Sequence, residues 1–387
     1  MATEFIFWFS ICFIAYAYFG YPLILMAISL FRNHDVNKGN IAPKTSFIIT
    51  AYNEEKRIKE KIENTLAQNY PKEKLEIIIA SDCSNDRTDE IVKSYQAQGV
   101  KLVRAAERRG KENAQRYAVD TATGDILIFS DVATILKSDG VSNIVKNFND
   151  PTVGCVSSED RFIDPDGKIS GEGAYVKYEM FLRNLETKVN TLVGLSGSFF
   201  AARKEVCKDW AADLQSDFNT LLNSVKRGLR GVSDSESIGY YKNIADEKKE
   251  FDRKVRTVVR GISVFMKSLP LLNPFKYGLF SWQLFSHKLC RWLVPFAMII
   301  AFLSNLILIL DSFSTSTLAL TSNVYLYIFI IQIMFYTLAI IGICLRNLKS
   351  NILKIPSFFI VVNLSILNAW YKYLRGERLI AWEPSKR

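Results

Sequence analysis

Hydrophobic and polar positions divide the chain into two kinds of territory. Phe5–Leu30 and most of Trp292–Trp370 are nearly free of charge, whereas Arg32–Arg260 mixes apolar and charged residues as a water-exposed domain does. Within the mixed stretch, apolar runs of strand length alternate with segments of helical spacing. Ser46–Ala51, Leu75–Ala80, Val100–Val103 and Asp125–Ser130 read as strands, and Val153–Ser157 as a further one. Between them, Ile58, Ile62 and Leu66 recur at helical spacing, as do Ile91, Val92 and Tyr95, and Lys111–Thr121 forms a third helix. Asp86 or Thr88 is the cap expected for the second helix, and Gly124 the stop expected for the third. This alternation predicts right-handed crossovers and a parallel sheet covered by helices. Gly171–Lys249 is less regular, with helix-like stretches at Tyr175–Leu192 and Asp217–Arg227.

Phe5–Leu30 is long enough to cross a hydrocarbon core. It has neither a basic leading region nor a small-residue cleavage pattern, so it reads as an uncleaved anchor. Glu4 precedes it and Arg32, Lys38 and Lys44 follow, which places the next domain in the cytoplasm. Ser281–Arg291 has the pattern of a helix lying in the bilayer interface. Leu293–Leu310 and Val324–Leu345 read as spans; the loop Asp311–Asn323 between them has no Lys or Arg, whereas Arg346, Lys349 and Lys354 follow the second. A crossing by Ile355–Trp370 would put Lys372, Arg375, Arg378, Lys386 and Arg387 outside, so that segment is expected to be a re-entrant or interfacial hairpin. The predicted organisation is therefore an anchor over 1–31, a catalytic domain over 44–250, interfacial amphipathic helices over 251–291, transmembrane or re-entrant helices over 292–373 and a basic tail over 374–387.

Composition narrows the class. A hydrophobic fraction of 49% with 13% aromatics fits a membrane-anchored enzyme. The excess of 49 Lys+Arg over 39 Asp+Glu is explained by cations flanking apolar spans. No basic and aromatic interleaving points to nucleic acid. Six scattered cysteines argue against a disulfide framework and a zinc site, and fit a reducing compartment. With only His34 and His287, and neither a Gly-x-Ser-x-Gly elbow nor a Walker pattern, a histidine-based triad and an ATPase are set aside.

The strand ends carry the chemistry. Ile126–Ser130 stops at Asp131, Ser46–Ala51 runs into Tyr52, Asn53 and Glu54, and Leu75–Ala80 into Ser81 and Asp82. In an open parallel sheet ligands sit beyond the carboxyl ends of the strands, so these residues would line one nucleotide-type site. Motifs in the same order support this: Ile49–Glu55, Gln68–Pro71, Ile79–Thr88, Gly110–Arg116, Phe129–Asp131, Gly197–Ser198, Ser216–Phe218, Phe251–Arg256 and Ser286–Pro295. In this series the chain resembles the family 2 glycosyltransferases, in particular the membrane-embedded enzymes of bacterial polysaccharide assembly related to hyaluronan and cellulose synthases.

The resemblance implies an α/β GT-A (Rossmann-like) nucleotide-sugar domain with α-helical transmembrane segments, held in the bacterial inner membrane with the catalytic domain cytoplasmic. It assigns Tyr52 to the face of a uracil ring, Asp82 to a ring N–H and Glu54 to the same pocket. Asp131 is the candidate ligand for Mg²⁺ or Mn²⁺, although Ala133 departs from the Asp-x-Asp pattern. Lys111, behind Gly110 at a helix start, would meet phosphate; Arg108, Arg109 and Arg116 would either join it or form a solvated basic face. Asp217 is the expected general base, with Ser216 where relatives are often acidic. Arg253 and Arg256 fall where processive relatives carry Gln-x-x-Arg-Trp, with Thr257 in place of Trp; they would hold either diphosphate or anionic lipid. Gly197 and Ser198 would shape the acceptor floor. Plainer alternatives stand beside these: Tyr52 as a strand-end aromatic, Asp82 and Asp131 as turn-formers, Asp217 as a helix cap.

The resulting expectation is an inverting transfer from a UDP-sugar to a lipid-linked or growing glycan acceptor, in exopolysaccharide or O-antigen synthesis, alongside other polysaccharide-assembly proteins. A processive synthase that extrudes its polymer and a non-catalytic nucleotide-binding membrane partner are the competing readings. The few spans and Thr257 favour single addition over the former; Ala133 and Ser216 keep the latter in view.

Overall fold

The computed structural model describes residues 1–163, 174–242, 247–314, 320–345 and 351–378. Part of the expected polar loop (315–319), Arg346, Lys349, and the tail residues Lys386 and Arg387 lie outside the described residues. The chain forms two units. One is helical and comprises Met1–Ile24, Glu247–Val259 and Leu284–Glu377; the other is built from Leu25–Asp246 and Arg260–Gln283 around a sheet.

The sheet begins with β1 (Thr45–Ala51), β2 (Leu75–Ser81), β3 (Val100–Arg104) and β4 (Ile126–Asp131). These four pair in parallel in the order β3-β2-β1-β4, and Ala51 is level with Ser81 as Thr50 is with Asp131. Alternate residues feed two cores. Phe47, Ile49, Ile77, Ile79, Ile126 and Ile128 pack on one face with Ile58 and Ile62; Ile48, Ile78, Leu127 and Phe129 pack on the other with Ala114 and Ala118. Burial on both faces is why these strands read as unbroken apolar runs. Behind β4, Phe129 stacks between Phe200 and Trp210, with both ring centroids at 4.8 Å.

The four strands expected to pair in parallel do so, and the sheet continues past them as a mixed one. Beyond β4 come β7 (Phe199–Arg203), β6 (Val153–Ile163), β8 (Arg230–Lys242) and β5 (Ile135–Leu136), with β7 antiparallel to both β4 and β6. Antiparallel pairing of Phe199 with Ser130 brings the chain entering β7 to the edge where β4 ends. Gly124, expected to stop the helix Lys111–Thr121, has a different reason to be there, because that helix is capped at Ala122. A Cβ at Gly124 would stand 2.5 Å from the Ser46 nitrogen, so glycine admits the close passage of two strands.

Ala2–Ser29 is one continuous helical stretch carrying a π turn at Tyr16–Gly20. Leu279–Ser312 is another, with a π turn at Phe285–Cys290, so the segment expected to lie separately in the interface is continuous with a span-length helix. Tyr16 Oη and Ser286 Oγ, one from each π turn, are hydrogen-bonded at 2.6 Å. Asn351–Leu374 is a single helix, which corrects the hairpin expected at Ile355–Trp370. Among the described residues, four helices are long and apolar enough to cross a membrane.

Candidate functional site

The parallel strands present their carboxyl ends between β1 and β4, where the strand order reverses. Tight turns there are reflected in the backbone. Asn53 and Cys83, with φ of 51° and 58°, hold the left-handed conformation immediately after β1 and β2. The Asn53 side chain accepts from Asn85 N at 2.9 Å, locking the two turns together. Tyr52 is half-buried in the first turn, with the Arg108 guanidinium 3.9 Å from its ring centroid. Glu54 is buried and grips Arg57 with both oxygens, at 2.7 and 2.8 Å. Burial, with Asp131 and Asp86 nearby, raises its carboxyl above the usual range against the pull of Arg57.

Asp82 is fully buried. Its carboxylate accepts the backbone N–H groups of Arg109 at 3.2 Å and Gly110 at 3.0 Å, so it fastens the loop that leads into the helix Lys111–Thr121. Two of the carboxylate's acceptor positions are thus engaged by backbone, one on each oxygen. Gly110, at φ 102°, makes the turn into that helix. Lys111 follows and reaches across the edge of the sheet: its ammonium donates to Asp131 Oδ1 at 2.5 Å and to the Gly197 carbonyl at 2.9 Å. Asp131 N in turn donates to the Ser198 carbonyl at 3.0 Å.

Asp217 lies in the first turn of the helix Ser216–Lys226. Its side chain does not cap that helix at Asn219; Oδ1 accepts from Phe218 N at 2.8 Å and Oδ2 from Gln215 Nε2 at 3.1 Å. Burial pushes its carboxyl above the ordinary range, against the Lys111 and Arg260 cations and the Phe218 N–H. A Cβ on Gly197 would stand 2.8 Å from Asp217 Oδ2, so any other residue there would push that carboxylate aside. Tyr52, Glu54, Asp82, Lys111, Asp131, Gly197, Ser198 and Asp217 thus all belong to the sheet unit. Arg253 and Arg256 do not: they lie on the helix Glu247–Lys267 within the helical unit, where Arg253 pairs with Glu250 at 2.7 Å.

Three features escaped the sequence reading. Lys61, fully buried beneath the sheet edge, donates to Ser130 Oγ at 2.8 Å and to the Thr134 carbonyl at 2.5 Å. Burial pushes its ammonium down to about 7, against the attraction of Asp131. A lysine one step from Ile62 on an apolar helix stripe was the available signal. Glu112, buried, pairs with Arg260, which lies four residues past Arg256. Trp210 Nε1 donates to the Glu112 carbonyl at 3.0 Å, holding the start of the Lys111 helix. Asp160, on β6, accepts from Ser196 Oγ with both oxygens at 2.8 Å and from Ser198 Oγ at 2.5 Å.

Among the described residues no group of three or more His, Cys, Asp or Glu side chains is placed to hold a metal ion. Asp131 offers one carboxylate with Oδ1 engaged by Lys111, so the residues fit a hard divalent ion only if oxygens of the ligand and water complete its shell.

Residues 46–210 match the glycosyl transferase family 2 model. The chain is 30% identical over 211 residues to the poly-beta-1,6-N-acetyl-D-glucosamine synthase of Staphylococcus aureus, covering 52% of this chain and 50% of that one. It is 30% identical over 128 residues to the probable glycosyltransferase YdaM of Bacillus subtilis, covering 32% of this chain and 30% of that one. The chain therefore spans about half the length of the curated synthase, at 50%. Among solved structures, the mannosyltransferase PcManGT of Pyrobaculum calidifontis, in complex with GDP-Man and Mn²⁺, superimposes with a TM-score of 0.69 at 22% identity, over 96% of this chain and 99% of that one. The sheet unit has the GT-A fold.

Proposed function

We propose that this chain, whose residues 46–210 match the glycosyl transferase family 2 model, transfers a sugar from a nucleotide-sugar donor, a UDP-sugar, to a lipid-linked or growing glycan acceptor with inversion at the anomeric carbon. The observation that carries this reading is the turn at Gly197. It lies against the Asp217 carboxylate on one side and accepts from Lys111, partner of Asp131, on the other.

The chemistry follows from the charges. The acceptor hydroxyl oxygen attacks the anomeric carbon as the bond from that carbon to the diphosphate oxygen breaks. Asp217 takes the hydroxyl proton; its raised affinity for protons suits that task near neutral pH. The nucleoside diphosphate leaves with the bonding electrons, and the Lys111 ammonium and the N-terminus of its helix would meet that charge. A divalent ion, when bound, would supply further countercharge to the diphosphate, and Asp131 would hold it. Tyr52 and Glu54 would line the base pocket, and Asp82 would set the loop that closes it. Arg253 and Arg256 are proposed for the diphosphate or for anionic lipid. With four helices of spanning length among the described residues, an inner-membrane enzyme with its sheet unit in the cytoplasm is the arrangement proposed. The test is release of nucleoside diphosphate from a panel of UDP-sugars and GDP-mannose, with and without Mn²⁺. Turnover with one of them is expected, and no turnover with any would overturn the reading.

A second reading, repeated addition to one growing polymer, is favoured by the synthase among the relatives. Product length from a single labelled donor separates the two. Single additions fit the absence of a tryptophan after Arg256, where Thr257 stands.

A further inference from the structure

The segment Ser196–Ser198 joins the two halves of the proposed reaction, and β6 holds it at successive points. Ser157 Oγ accepts from Ser196 N at 2.8 Å, and Ser158 Oγ donates to the Phe199 carbonyl at 2.6 Å. These bonds set the path of the chain. The third point differs, because it is ionic: the Asp160 carboxylate accepts the hydroxyls on both sides of Gly197. Hydrogen bonds to a carboxylate are shorter and stronger than neutral ones. Between those two hydroxyls, the Gly197 carbonyl receives Lys111 and its Cα faces Asp217, while the Ser198 carbonyl receives the Asp131 amide.

We propose that Asp160 is a positioning residue of the transfer site: by gripping Ser196 and Ser198 it holds Gly197 between the Asp217 carboxylate and the Lys111–Asp131 pair. The proposal rests on the reading of Asp217 as the base. Asp160 needs no contact with the reacting atoms to matter, since misplacing a reacting group by about 1 Å costs on the order of a hundredfold in rate. Asparagine at 160 keeps the shape and an Oδ1 that both serines can reach, but it removes the charge and turns the second oxygen, which accepts from Ser196, into an N–H donor, so the grip is weakened rather than lost. Alanine removes the grip altogether.

The test compares the full-length parent with Asp160→Asn and Asp160→Ala, purified in the same detergent. Hydrogen exchange of the Asp131 amide, which is bonded to Ser198, reads the clamp without any need for turnover. Nucleoside diphosphate release reads its consequence, using whichever of UDP-glucose, UDP-N-acetylglucosamine or GDP-mannose the parent consumes. In Asp160→Ala the amide is expected to exchange at least about tenfold faster. Turnover in both variants is expected to fall about 10- to 100-fold, with the donor KM within about threefold of the parent. Unchanged exchange overturns the clamp. Faster exchange with unchanged turnover, or kcat and KM worsening alike as in a general loss of structure, overturns its positioning role. A parent inert to all three donors counts against the transfer reading, and the exchange result alone then decides the clamp.

Discussion

Gly197 and Asp217 are so close that a single added methyl group on Gly197 would stand 2.8 Å from the Asp217 Oδ2 atom. A real Cβ does not tolerate that approach, and a buried carboxylate held by Phe218 N and Gln215 cannot yield without losing one of those bonds. Gly197→Ala is therefore expected to lower turnover about 10- to 100-fold through displacement of the proposed base. Its unfolding midpoint should change little by comparison, because the strain falls on one side chain. Steady-state turnover beside a thermal melt checks this; a loss confined to the melt would contradict it.

Asp217 carries a second prediction. Burial raises its carboxyl, so the folded protein protonates it above the 3.8 of an ordinary aspartate. A general base works only when deprotonated, so the acidic limb of kcat should bend at a pH above about 4 rather than in the range of an exposed carboxylate. The measurement is a pH–rate profile at saturating donor. A limb at or below the ordinary aspartate value would assign the proton to another group.

Lys61 has the opposite sign. Its ammonium is pushed down from 10.5 to about 7 in the folded protein. Between those values the unfolded chain binds the proton that the folded chain has released, so the contribution of Lys61 to stability increases as pH rises. The slope in that window approaches about 1.4 kcal/mol per pH unit. Lys61→Met should remove this dependence, seen as a smaller gain in unfolding midpoint between about pH 7 and about pH 10. It should also loosen the turn after Asp131, because the Thr134 carbonyl and Ser130 hydroxyl lose their donor.

Much of this was legible in the sequence because the evidence was local. β1, β2 and β4 are continuous apolar runs, and each ends in the polar residues that line the sheet edge. The second half of the sheet was not legible. β8 is thirteen residues with three Ser and two Gly and reads as loop; it is a strand because β6 and β5 pair with it on either side. Asp160 and Lys61 were hidden for a related reason. Their roles depend on what other segments bring to them, Ser196 and Ser198 in one case and Ser130 and Thr134 in the other. For Ile355–Trp370, charge bookkeeping in the tail outweighed helix length, yet the residues form one helix because neither a turn nor a glycine interrupts them.

Lys111 is expected to matter to the leaving group and to Asp131 alike. Lys111→Met strips the cation from Asp131 and from the diphosphate position, so turnover should fall by about a hundredfold or more. Chelation of divalent ions from the parent should lower turnover as well, and added Mn²⁺ should restore it. In Lys111→Met, Mn²⁺ should restore little. Full recovery there would show the ammonium to be structural.

The most direct measurement is sugar transfer by purified Asp217→Asn, an isosteric change that keeps the side chain's shape and removes its capacity as a base. At a donor concentration saturating for the parent, turnover is predicted to fall about 100- to 10,000-fold with nucleotide binding retained. Transfer at the parent's rate would contradict the central claim that this carboxylate, set against Gly197, takes the acceptor's proton.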